Sequence, residues 1–272
     1  MKNIAFGQYY PADSIIHRLD PRAKVIMMIF YIVCSMVCKN LIAFGVLVLS
    51  AIGIVLMSKI PLKTVMRSIR PILFIMVFTV ALNVFWTAGE SLIFEWGIIK
   101  IYSEGIYKAI FMVARILAMI IVTSIFLTYT TTPIALTDAL EQLLAPLKKI
   151  RVPVHEFTMM MTIALRFIPT LIEETDKIIA AQKARGADFS SGNLVKRAKA
   201  LIPILIPLFV SAFRRADELA IAMECRCYRG GEGRTKLHVL RYTAMDFVSV
   251  FAVIALGAGL ILLNIFAPGY TM

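Results

Sequence analysis

The sequence predicts an all-α integral membrane protein with about five transmembrane helices and, between residues 130 and 244, a cytoplasmic region of long crossed amphipathic helices. Three observations predict it. Of the 272 residues, 60% are hydrophobic and the mean hydropathy is +0.82, above a soluble domain and opposite to a disordered chain. The apolar residues gather in long runs without period-2 alternation, which favours helical over strand spans. The charges are segregated, because residues 130–244 hold 17 of the 29 Lys+Arg and 11 of the 17 Asp+Glu. The chain therefore divides into 1–129, a membrane domain of about four helices, 130–244, the polar region, and 245–272, a last membrane helix.

The first two apolar runs, Ala23–Cys38 and Leu41–Met57, are separated by Lys39-Asn40. A span needs roughly 20 apolar residues, so each is short. They read as two brief spans or one re-entrant hairpin, and both options return the chain to its starting side. Pro71–Trp86 is the third run. Gly105–Tyr129 is the fourth, with Lys108 near one end and Arg115 inside, and Phe247–Ala267 is the fifth. Met1–Lys24 carries Lys2, Arg18, Arg22 and Lys24, and Ser58–Arg70 carries four bases and no acid. Thr87–Glu104 carries Glu90, Glu95 and Glu104 against Lys100. Positive-inside counting then puts the N-terminus, 58–70 and 130–244 in the cytoplasm, and 87–104 and 268–272 outside. Asp13 and Asp20 precede the first run without a small-residue cleavage pattern after it, so no signal peptide is expected.

Within the polar region, Thr132 is a helix N-cap and Pro133 a first helical residue. Leu136, Leu140, Leu143, Leu144 and Leu147 recur on one helical face, and Pro146 and Pro153 limit it. A second helix is predicted over about Val154–Ala184, kinked at Pro169 and stopped by Gly186. A third runs over about Leu194–Glu224, bent at Pro203 and Pro207 and ended by Arg226–Gly231. Ala180 and Ala184, and Ala212, Ala216 and Ala220, are four residues apart. Such stripes let two helix axes approach closely, or simply reflect helix propensity.

Each long helix ends in an arginine between small residues: Ala184-Arg185-Gly186 and Cys225-Arg226-Cys227. An arginine there complements the helix dipole in any helix. An unobstructed guanidinium also suits a bidentate pair with a carboxylate in a partner's groove, or an anionic lipid head group. The charge of 130–244 is largely balanced, as on a solvated surface and not on a nucleic-acid binder. Cys34 and Cys38 read as small buried hydrophobes. Cys225 and Cys227 have no further ligand nearby, and His17, His155 and His238 are scattered, so no metal site is expected. No G-x-x-x-x-G-K-[ST] loop occurs, so the chain brings no phosphate loop of its own. Arg115 is a functional candidate as an intramembrane charge. Met159-Met160-Met161 offers an adaptable apolar surface or ordinary packing.

His17-Arg18-Leu19-Asp20-Pro21-Arg22-Ala23-Lys24 resembles the N-terminal motif of the transmembrane T component of energy-coupling factor (ECF) transporters, the EcfT/CbiQ family. Ala164–Leu171 followed by Ala181–Ala187 resembles its first coupling motif. Arg214-Arg215-Ala216 and Ala222–Gly230 resemble the second. The resemblance implies a non-catalytic scaffold of an ATP-driven importer of vitamins or transition-metal ions in a prokaryotic plasma membrane. Its partners would be two cytoplasmic ABC ATPase subunits, which bind ATP and Mg, and a membrane-embedded substrate-binding S component, so this chain would hold no cofactor. Arg185 and Arg226 match the family's ATPase-docking arginines, flanked here by Ala184, Gly186, Cys225 and Cys227. The cysteines depart from the family's usual Ala-Arg-Gly. The residues alone also admit a stand-alone permease or channel with a basic cytoplasmic domain. A membrane-embedded enzyme would have to call on Asp246, at the start of the last run.

Overall fold

A computed structural model describes residues 9–38, 40–86, 92–96, 99–187, 189, 193–231 and 239–266. It forms two compact units, one built from Gly7–Ala139 with Leu240–Met272, the other holding Leu140–Val239.

In the first unit, α1 (Ile15–Arg18) leads into α2 (Pro21–Val37), α3 (Leu41–Ser58), α4 (Leu62–Trp86), α5 (Ser103–Thr123) and the closing α9 (Ala244–Phe266). Among the described residues, four helices are long and apolar enough to cross a membrane: α3, α4, α5 with its extension to Tyr129, and α9. The remaining one of the five expected, α2, has 17 residues, or about 25 Å at 1.5 Å per residue. Met27, Tyr31 and Cys34 of α2, Ala43, Leu47 and Ala51 of α3, Ala118 and Val122 of α5 and Leu260 of α9 form the core. Phe74, Phe78 and Phe85 of α4 and Phe247, Phe251 and Phe266 of α9 are exposed, as expected where the solvent is hydrocarbon.

Helices α2 and α3 are consecutive, and each packs against α5 and α9. Arg115 Nη2 donates to the Cys38 carbonyl at 2.7 Å, and Asn264 Nδ2 to the Val37 carbonyl at 2.8 Å. The Asn40 side chain accepts from the Ile42 N–H at 3.1 Å, capping α3. The turn thus satisfies helix-end groups inside the protein, which hydrocarbon would leave unpaired. Arg115 thus caps the end of α2 through Nη2, while its buried Nε has no hydrogen-bond partner among the described residues. Tyr31 of α2 donates its hydroxyl to the Leu47 carbonyl of α3 at 3.0 Å.

Three features differ from the pattern in the sequence. Helix α4 begins nine residues before Pro71 and runs through it, so the exposed bases Lys63, Arg67 and Arg70 ride on its first turns. The polar connection after α4 contains two antiparallel strands, β1 (Leu92–Trp96) and β2 (Ile99–Tyr102), with Glu95 opposite Lys100 and Trp96 opposite Ile99. Their aromatic and β-branched content supports strand pairing, which charge counting did not weigh. Finally, α5 widens into a π-helical turn over Ser124–Tyr129.

The second unit contains the end of α6 (Pro133–Leu143), a 3-10 turn (Ala145–Ile150), α7 (Val154–Ala184) and α8 (Leu194–Cys225). Thr132 Oγ1 accepts from the Ala135 N–H at 3.3 Å and starts α6. Helices α7 and α8 run antiparallel. Gln182 Nε2 lies 3.5 Å from the Pro203 carbonyl, and Arg215 Nη2 donates to Glu174 Oε2 at 2.8 Å. The first contact has a backbone cause: Pro207 lacks the N–H that would bond the carbonyl four residues earlier, so that carbonyl is free to accept from α7. Ala180, Ala184, Ala216 and Ala220 are exposed and Ala212 is half-buried, and the hydrogen bonds across the pairing come from polar side chains.

Gly257 marks the closest approach of α9 to α2. A Cβ there would lie 2.5 Å from Phe30 Cε1 and 2.7 Å from Cys34 Sγ. Gly257→Val is expected to part the two helices and destabilise the membrane unit by about 1–3 kcal/mol. A thermal melt in detergent that matches wild type would contradict this. In the second unit, the Ser211 hydroxyl, then Arg215, holds the Glu174 carboxylate below its ordinary range. A depressed carboxylate stabilises the fold above its ordinary value of 4.5 and loses that contribution as pH falls through the lower folded value. Glu174→Gln is expected to speed amide exchange over residues 203–215 at neutral pH and to remove the acid-dependent loss expected of wild type. Unchanged exchange in the variant would show that the pair does not hold α8.

Candidate functional site

The antiparallel pairing sets the geometry of the two arginines. Arg185 follows the last residue of α7 and Arg226 the last residue of α8. Arg226 shares a groove with Met159 and Ile163 of the first α7 turns, whereas Arg185 stands at the other end of α7. Counting from Met159 to Arg185 at 1.5 Å per residue separates the two by about 40 Å along α7.

Both helix ends close in the same way. After α7, the Gly186 N–H bonds the Lys183 carbonyl at 3.0 Å and the Ala187 N–H bonds Gln182 at 3.0 Å. After α8, the Cys227 N–H bonds Glu224 at 2.8 Å and the Tyr228 N–H bonds Met223 at 3.1 Å. This pair of bonds is a Schellman closure, with the arginine as C-cap residue in each case. The motif needs a left-handed residue just after the cap. Gly186 supplies it with φ +86°, and Cys227 with φ +55°. The departure from Ala-Arg-Gly is therefore one of residue and not of backbone, and Cys227 carries the steric cost that Gly186 avoids.

Arg185, Gly186, Ala184, Cys225, Arg226 and Cys227 are all exposed. Among the described residues, neither arginine has an ion pair or side-chain hydrogen bond, so each guanidinium keeps its donors for a partner. No described group of acids, histidines and cysteines forms a metal site, and Cys225 and Cys227 are free thiols.

Arg226 lines an open groove of about 670 Å³ together with Arg166, Phe167, Leu219, Met223 and Arg229. Three guanidinium groups thus meet beside an apolar wall, a setting that selects an anionic, partly apolar partner. Arg166 was visible in the sequence only as part of the Ala164–Leu171 motif, and Arg229 only as part of the helix stop. Their convergence depends on the antiparallel register, which brings residues some 60 positions apart together. At the base of this end, His155 Nδ1 lies 2.9 Å from Glu141 Oε1. A Cβ on Gly231 would come within 2.6 Å of the His155 ring, so a glycine there lets the segment after Arg229 lie on that imidazole.

Comparison with known proteins places this geometry in a family. A family model described as cobalt transport protein, CbiQ, matches residues 12–237. The energy-coupling factor transporter transmembrane protein EcfT of Ruminiclostridium cellulolyticum is 55% identical over 246 residues, 90% of this chain and 91% of its own. The protein of that name from Thermosediminibacter oceani is 50% identical over 262 residues, 96% of this chain and 98% of its own. That from Bacillus subtilis is 46% identical over 264 residues, 97% of this chain and 99% of its own. The matched stretch contains both capped arginines and the polar N-terminal motif, and the chain belongs to the EcfT/CbiQ family, the transmembrane component of energy-coupling factor transporters.

Proposed function

We propose that the chain is the non-catalytic scaffold that couples two cytoplasmic ABC ATPases to a membrane-embedded substrate-binding S component in an importer of vitamins or transition-metal ions. The N-terminus and residues 130–244 lie in the cytoplasm, as their basic flanks require. Arg185 and Arg226 dock one ATPase each, and ATP and Mg are bound by those partners. The observation that carries this reading is the placement of two equivalent, exposed, unpaired C-cap arginines at opposite ends of one antiparallel helix pair. A single ligand does not reach both, whereas two copies of one kind of partner do.

A second observation supports the membrane side of the scaffold. Leu201, Leu205, Phe209 and Phe213 of α8 are exposed and four residues apart, so they form one broad apolar face. A solvated surface does not carry such a face without a neighbour. In this reading the S component and the bilayer supply that neighbour, while the arginines at the helix ends face the ATPases. Movement of the ATPases on hydrolysis then shifts α7 and α8 against the S component.

Arg185→Glu combined with Arg226→Glu is expected to abolish co-purification of the ATPases while the chain still inserts into the membrane. Each lost charge pair should weaken association by about 2 kcal/mol or more. Normal yields of both ATPases with the double variant would overturn the docking role, and transport by the purified chain alone would favour the permease reading. Cys227→Gly relieves the left-handed strain at α8 and is expected to stabilise that helix end by about 1 kcal/mol with docking intact. A loss of ATPases in this variant would mean that the thiol itself makes the contact.

A further inference from the structure

The membrane unit runs on to Ala139 and resumes at Leu240. Its last apolar span before that break ends at Tyr129 and its next begins at Ala244, and one buried polar cluster holds both span ends. Lys24 Nζ donates to the Thr130 carbonyl at 2.8 Å and to the His17 carbonyl at 3.4 Å. Asp246 Oδ2 accepts from the Thr243 N–H at 2.7 Å and from its hydroxyl at 2.6 Å. Its Oδ1 accepts from the Asp20 N–H at 2.7 Å. Asp20 in turn caps α2 through the Arg22 N–H at 2.8 Å and pairs with the Arg22 guanidinium at 2.7 Å. That guanidinium lies 3.9 Å from the centre of the Tyr242 ring, a cation–π contact. Lys24 and Asp246 are each 1% exposed.

The cluster balances two carboxylates with two cations, all drawn from residues 20–24 and from the first turn of α9. Burying such a group costs desolvation, and an apolar patch would hold helices together at least as well. What it adds is direction, because each hydrogen bond fixes a particular backbone atom in place. The atoms fixed are at the two span ends from which the chain runs to and from residues 140–239. The turn before Thr130 is the π-helical segment, an element associated with functional sites. Its Phe126 carbonyl accepts from the Thr130 hydroxyl at 3.1 Å and the Thr131 hydroxyl at 2.7 Å. Tyr10 N–H also bonds the Tyr129 carbonyl at 3.0 Å. The exit connection is therefore held from several directions at once.

We propose that Lys24 and Asp246 are positioning residues for coupling. They make the His17–Lys24 segment a pivot that grips both connections, so that displacement of α7 and α8 passes into α5 and α9 and is not absorbed between them. This rests on the coupling role proposed above. Neither residue contacts ATPase or substrate in this account; each acts through the connection that it holds.

The test uses the complete complex, with both ATPases and the S component, in lipid nanodiscs. Amide hydrogen exchange is compared without nucleotide and with ATP plus vanadate, for wild type, Lys24→Met, Asp246→Asn and Thr243→Val. In wild type, nucleotide is expected to change exchange in α7 and α8 and also in residues 116–129 and 246–256. In Lys24→Met and Asp246→Asn, both ATPases remain bound and the change in α7 and α8 persists. The change in the two membrane segments falls about fivefold or more. Thr243→Val removes one hydroxyl and no charge, and is expected to act in the same direction by about twofold. A wild-type-sized response in α5 and α9 of these variants, or none in wild type, would overturn the pivot. So would loss of the ATPases in all three, which would make the cluster a part of folding alone. The docking reading fails separately, if the double arginine variant keeps its ATPases, whatever the Lys24 and Asp246 variants do.

Discussion

The antiparallel pairing of α7 and α8 is the constraint on which the rest depends. Two helices of 31 and 32 residues joined by a short connection have little choice but to lie back along one another. Each must end somewhere, and each ends in an arginine. Antiparallel order then sends the two arginines to opposite ends of the pair. Parallel order would have put them side by side and made one site out of two. Polar contacts mark this order: Glu174 with Ser211 and Arg215, and Gln182 with the carbonyl that Pro207 releases. Polar contacts fix register more sharply than an apolar face, which tolerates sliding.

The membrane unit applies the same economy to its own helix ends. Arg115, Asn264 and Asn40 satisfy the turn between α2 and α3. Lys24, Asp20 and Asp246 satisfy the ends of α2, α5 and α9 near the two connections. Arg115, Lys24 and Asp246, charged residues within or bordering apolar runs, are therefore bonded to backbone groups.

Much of this architecture was legible in the sequence. The bounds of α7 follow from Pro153 and Gly186, and the last span from an uninterrupted apolar run. The start of α4 was not, because a proline inside a helix looks like its beginning when basic residues precede it. The β1–β2 hairpin was hidden because its acids were informative about side and its aromatics were passed over. The alanine stripes identify a possible close contact, and of their residues Ala212 is half-buried, next to the Ser211 that meets Glu174. The two arginines were found from their neighbours, but their equivalence was not. That equivalence lies in backbone angles: Cys227 does the work of Gly186, and nothing in a cysteine announces a left-handed conformation. The cluster around Lys24 was likewise invisible, because Asp20 and Asp246 are 226 residues apart.

The central claim is that the two helix ends meet two separate ATPase subunits. It is tested most directly by placing a photoreactive residue at Ala187 in one variant and at Tyr228 in another, beside the intact arginines, and mapping cross-links in the native complex. The account predicts that each position captures an ATPase subunit, and that the two captured surfaces belong to different copies. Capture of lipid or the S component at both positions, with no ATPase at either, would contradict it.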